Sequence, residues 1–200
     1  MPRRTSQATV RAFVAEHREW IETRRQAALR QRLPETPFPP QRIELPAVYE
    51  AWRVHLAGGT GQLRIREQDE LLLICGDAGP PQRLRDSLRR WLKGRAQLIL
   101  ADHLAECARQ FGFKYQRLTI RRQRTRWGSC SARGTISLNC GVLFQPPQVL
   151  RYLLIHELSH TRHMNHSRAF WECVAGCCPD YRKLDRQLLD GWRRVPSWSS

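Results

Sequence analysis

The chain has 200 residues, 41% of them hydrophobic, which is enough for one cored domain and excludes wholesale disorder. Its formal charge of +16 and pI near 10.8 are extreme for a small enzyme. Lys93, Lys114 and Lys183 are the only lysines, so the basic residues are overwhelmingly Arg. Two readings of that excess stand: affinity for polyanions such as nucleic acid, or a solvated Arg-rich surface. The seven cysteines are odd in number and contain no CxxC, which speaks against a disulfide framework or a zinc ribbon. No segment has the features of a signal peptide, and no apolar run approaches ~20 residues. The expectation is a soluble, cytoplasmic protein with free thiols and no membrane partner. Cys177 and Cys178 are then small buried thiols rather than a redox pair.

In chain order, Ser6 to Arg32 predicts a helix, with Phe13, Trp20 and Ile21 as its apolar stripe. A Pro-rich connector follows, so residues 1–45 form an N-terminal helix and linker. Trp52–Leu56, Leu63–Arg66 and Leu71–Ile74 alternate or run apolar between turns, as in a three-stranded meander. His55, alone in a strand, reads as structural. Arg83 to Phe111 predicts one long helix, or two joined at Gly94, ended by Gly112. His103 on that helix is not a ligand candidate. Tyr115–Ile120 is the next strand. A hairpin follows, with RTRWGSC leading into its first strand and Thr135–Cys140 as its second. Pro146 and Pro147 then open a helix. Ser167 caps another to about Cys177, and Pro179-Asp180 starts a last one to about Trp192. Residues 193–200 read as a frayed tail.

The chemistry lies in Tyr152 to His166, YLLIHELSHTRHMNH. His156-Glu157-Leu158-Ser159-His160 matches H-E-x-x-H. On a helix, residues four apart share a face, so both imidazoles can reach one metal ion. Glu157 is then placed as a general base toward a water at the metal's open position. A catalytic zinc site needs a third protein ligand. His166 is the favoured third ligand. Its rival, His163, sits on the same short helix face as His160 and would give poor tetrahedral geometry. The H-E-x-x-H-x-x-x-x-x-H spacing equals that of the metzincins, but His163 stands where that pattern has Gly. Met164-Asn165 must therefore make the turn, and Asn tolerates the left-handed conformation.

Four segments in order, RTRWGSC, ISLN, HELSH and MNHSRAFW, carry a resemblance. The chain resembles the YgjP-like metallopeptidases, relatives of the SprT and WLM zinc-dependent proteases, over roughly Arg42 to Leu189. The resemblance implies an α+β, zincin-like fold. In it, a small antiparallel sheet packs on helices that include the HExxH metal helix, preceded by the N-terminal helix and short meander. The metallopeptidase domain is expected over 46–192, with its catalytic core from about 95. The resemblance also implies zinc held by His156, His160 and His166, with Glu157 as general base.

Further site candidates come from the residues themselves. Thr135–Asn139 is a candidate edge strand that pairs with an extended peptide or protein substrate. Asn139 and Asn165 are candidates for fixing the groups around the metal ligands. Arg126 and Tyr181 are candidates for holding an oxyanion or an anionic part of the substrate. Arg117, Arg121, Arg122, Arg124 and Arg126 lie beside Tyr115 and Trp127, a mixture that also suits single-stranded nucleic acid. The leading expectation is thus a zinc-dependent metallopeptidase. The alternatives are a metal-dependent hydrolase of nucleotides, a nucleic-acid-associated protease, or a non-catalytic nucleic-acid module with structural zinc. Three imidazoles also accept iron, nickel or copper.

Overall fold

The computed structural model describes residues 37–123 and 125–199, all within one compact unit spanning 36–200. The expected helix from Ser6 to Arg32 and Arg124 of the Arg run lie outside the described residues. Among the described residues, two small sheets and four α-helices make up the unit. The α+β class expected from sequence holds.

The first sheet comprises β1 (Arg42–Leu45), β2 (Glu50–Gly58), β3 (Arg64–Gln68) and β4 (Leu71–Cys75). Its order is β1-β2-β4-β3, with β2 and β4 parallel, so the expected meander is corrected. Burial explains the order. Leu71–Ile74 is the most apolar strand and takes a central place, whereas charged Arg64, Arg66 and Glu67 keep β3 at an edge. The end of the Pro-rich connector is also not plain linker. Arg42–Leu45 pairs with β2 and buries Ile43 and Leu45 on its inner face.

Helix α1 (Pro81–Phe111) is continuous through Gly94. Leu84, Leu88, Leu92, Ala96, Leu100 and Leu104 recur every four residues and form its buried row. Gly112 ends the helix at φ +66, and its N–H bonds Ala108 O. Arg95 ties α1 to the first sheet. It grips the Glu50 carboxylate with two bonds of 2.6 and 3.0 Å and reaches Glu67 at 3.2 Å.

The second sheet comprises β5 (Arg117–Arg121), β6 (Gly128–Cys130) and β7 (Thr135–Asn139), in the order β5-β7-β6. The β6–β7 hairpin is antiparallel, as expected, but β5 runs parallel to β7. The sheet is therefore mixed. Thr135–Asn139 is its central strand and β6 the edge, which corrects the edge-strand expectation. The reason is the Arg-bearing segment after β5. It crosses the end of β7 and delivers β6 to the far side. Asn139 fastens that crossing, donating from Nδ2 to Gln123 O (2.6 Å) and Arg126 O (3.0 Å).

Three helices complete the unit: α2 (Pro147–Ser159), α3 (Arg168–Cys177) and α4 (Tyr181–Leu189). Helix α2 packs against α1, α3, α4 and β6. Val149, Leu150, Tyr152, Leu153, Leu154, Ile155 and Leu158 are buried along it, so it is held on nearly every side. Residues 193–199, expected to fray, are held in place. Trp198 is 3% exposed, meets Phe144 edge-on, and its carbonyl accepts from Arg89 Nε at 2.8 Å. A buried Trp near the terminus supplies the apolar area that holds a short tail down. All seven cysteines are free thiols, and no helix among the described residues is long and apolar enough to cross a membrane.

Candidate metal centre

His156 lies in the last turn of α2, and His160 caps its C-terminus in right-handed geometry. The chain then turns, and Ser167 caps α3 by accepting from Phe170 N at 3.4 Å. Met164 and Asn165 make this turn without any residue at positive φ, so neither a Gly nor a left-handed Asn165 is needed. The turn brings His166 back over α2. His156, His160 and His166 each offer a ligand nitrogen, all within 4.8 Å of one another, and could hold a metal ion. His156 Nε2 and His166 Nε2 are 3.2 Å apart.

Each helical imidazole is oriented by its other nitrogen. His160 Nδ1 lies 3.1 Å from the carbonyl of His163, which can only accept, so Nδ1 carries the hydrogen and Nε2 is left for a metal. His163 thus contributes its backbone here. Tyr152 O–H donates to Asp185 Oδ1 at 2.7 Å, so its oxygen is left to accept from His156 Nδ1–H at 3.2 Å. His156 Nε2 is again the free position. The rings are packed as well: Phe170 stacks on His160 at 4.5 Å, and Trp171 lies against His166 at 5.6 Å.

Electrostatics suit a cation. Burial, then the neighbouring His160 and His166, push His156 down to about 3, and burial lowers His160 too. These imidazoles are neutral at pH 7, the form that binds metal. Burial alone pushes the Glu157 carboxyl up to about 8. Glu157 is 4% exposed, and its Oε2 has no hydrogen-bond partner. A divalent cation beside it would supply the counter-charge that this buried carboxyl lacks. Edge strand β6 lies over Glu157. A Cβ on Gly128 would stand 2.6 Å from Glu157 Cδ, so only glycine fits between strand and carboxyl. Trp127, stacked on Trp192 at 4.0 Å, anchors the strand just before that glycine.

The other sequence candidates make different contacts. Asn139 spends its amide on the crossing after β5, and its Oδ1 accepts from Gly141 N at 2.9 Å. Arg126 is exposed, and its carbonyl belongs to that same crossing. Tyr181 stacks on Trp171 at 5.3 Å, and its hydroxyl accepts from Arg182 Nε. Asn165 is exposed in the turn before His166. Tyr152, Asp185, Phe170, Trp171 and Gly128 were not singled out from sequence. Tyr152 was within reach, because it stands four residues before His156 on the same helical face.

The model of the YgjP-like family, described as a metallopeptidase domain, matches residues 1–190. The chain belongs to the YgjP-like metallopeptidase family. It is therefore a metal-dependent peptidase. Among solved structures, the metallopeptidase zymogen of Pyrococcus abyssi abylysin is similar. That match has 26% identity and a TM-score of 0.41, covering 44% of this chain and 90% of that one. No curated protein matches.

Proposed function

We propose that this YgjP-like protein is a zinc-dependent metallopeptidase with His156, His160 and His166 as metal ligands and Glu157 as general base. The observation that carries this reading is one constellation. Three imidazoles lie within 4.8 Å of one another, and Glu157, the residue after the first of them, is a buried carboxyl whose Oε2 has no partner. Three imidazoles are a donor set that suits zinc. When bound, zinc supplies Lewis acidity toward a water and toward the scissile carbonyl.

The protein's own groups do the rest. Glu157 takes the proton of the attacking water at Oε2 and passes it to the leaving amine. Tyr152 and the His163 carbonyl keep both helical imidazoles in the ligating tautomer. The substrate backbone lies along β6, whose outer side has no strand partner among the described residues, and pairs with its free N–H and C=O groups. Seven free thiols fit a reducing, cytoplasmic setting.

The test is Glu157→Gln. The variant should bind one zinc per chain as the wild type does, keep its fold, and lose peptide hydrolysis by about a thousandfold or more. Full activity in the zinc-loaded variant overturns the assignment.

A further inference from the structure

Helices α3 and α4 line an open groove of about 640 Å³ beside the imidazole cluster. Its floor is Trp171 stacked on Tyr181. Trp171 also lies 5.9 Å from the His156 ring and 5.6 Å from that of His166, so the groove begins where the cluster ends. The two walls differ in charge. On α3, Arg168 and Glu172 neutralise each other at 2.6 Å. On α4, Asp185 is already taken by the Tyr152 hydroxyl. Arg182 and Arg186 stand four residues apart on one face of α4, both exposed. Arg182 spends Nε on the Tyr181 hydroxyl, and neither arginine forms an ion pair among the described residues.

We propose that this groove sets substrate preference by taking an Asp or Glu side chain of the peptide, close to the scissile bond. This rests on the metallopeptidase reading above. The methylene stem of such a residue lies on the Trp171–Tyr181 floor. Its carboxylate meets the Arg182 and Arg186 guanidiniums, whose forked donors match it. A Lys or Arg side chain in the same place is repelled. A nucleic acid fits less well, because a phosphate backbone needs a track of cations, whereas this groove presents Arg182 and Arg186 on one helix face.

The test uses the full-length, zinc-loaded protein and a random peptide library, with the cut positions read by mass spectrometry. Asp and Glu should be enriched at one position near the cut. Arg182→Glu/Arg186→Glu should invert that enrichment to Lys and Arg. The ratio of kcat/KM for matched Glu and Lys peptides should move by about tenfold or more. Arg53→Glu/Arg64→Glu makes the same charge change on the first sheet and should move the ratio by less than about twofold. Cutting without acidic preference, or a preference the α4 variant leaves intact, overturns the proposal and leaves the peptidase reading standing. If no form cuts any peptide, binding of fluorescein-labelled Glu and Lys peptides decides. Tighter binding of the Glu peptide, lost in the α4 variant, upholds the groove and sinks the peptidase reading. Equal binding sinks the groove. An oligothymidylate that binds more tightly than the Glu peptide, and is lost in the α4 variant, also overturns it.

Discussion

Gly128 lies directly against the side chain of Glu157, so close that a Cβ on it would stand 2.6 Å from Cδ and 2.8 Å from Cγ. Glu157 is 4% exposed and has little room to retreat. Gly128→Ala must therefore displace the carboxyl or the strand. Misplacing a reacting group by about 1 Å costs about a hundredfold in rate. The variant should lose roughly that much in kcat while its zinc affinity, assigned in the proposal to the three imidazoles, stays close to that of wild type. Steady-state kinetics and a chelator competition separate the two effects. Unchanged kcat would show that the carboxyl has freedom the packing denies.

Tyr152 links the Asp185 carboxylate to the His156 imidazole. Tyr152→Phe keeps the ring, which is fully buried, and removes the hydroxyl that holds His156 Nδ1–H and satisfies Asp185. Zinc affinity should fall by about 10- to 100-fold. Asp185→Asn should fall less, because its amide oxygen still accepts from the Tyr152 hydroxyl. Zinc dissociation constants measured against a chelator check both, independently of activity. A Tyr152→Phe protein with wild-type affinity would remove Tyr152 from any role in ordering the site.

The third ligand can be tested by contrast. His163 uses its backbone carbonyl toward His160 Nδ1, and a substitution leaves that carbonyl in place. His163→Ala should change zinc affinity by less than about threefold, whereas His166→Ala, which removes the proposed third ligand, should cost about a hundredfold or more. The reverse ranking would move the third ligand to His163.

Glu50 and Arg95 predict a pH dependence of stability. Burial pushes the Glu50 carboxyl up. The hydrogen bonds from Arg95 and Trp52, with the Arg95 charge, outweigh it and hold Glu50 below its usual 4.5. A carboxyl lowered in the folded state adds stability above its unfolded value, and that stability is lost as pH falls through the folded one. Glu50→Gln should cost about 1–3 kcal/mol at neutral pH. The gap to wild type should narrow below pH ~4. Urea unfolding of both proteins at the two pH values checks the sign. A gap that widens in acid would contradict it.

Much of the site was legible because it is local. H-E-x-x-H places two imidazoles on one helical face by backbone geometry alone. Helix α1 was legible for the same reason, from a four-residue apolar repeat and a terminal Gly112. The β6–β7 hairpin also depends on a short turn between adjacent strands. The order of both sheets was not legible. Strand β4 between β2 and β3, and β7 between β5 and β6, depend on which strand is most buried and which way a connection crosses. The packed tail was missed because one apolar residue, Trp198, carries no periodicity to read.

The sequence by itself determined that this protein carries an H-E-x-x-H helix, a third His six residues on, and the motifs of a metallopeptidase family. Only the tertiary structure decided which strand borders the site, that Gly128 must be bare against Glu157, and that Asp185 reaches His156 through Tyr152. The physical reason is range. Helical periodicity acts over four residues, whereas Tyr152 meets Asp185 across 33 residues of chain and Gly128 meets Glu157 across a sheet-to-helix contact. Such contacts are set by how elements pack, and no local spacing encodes them.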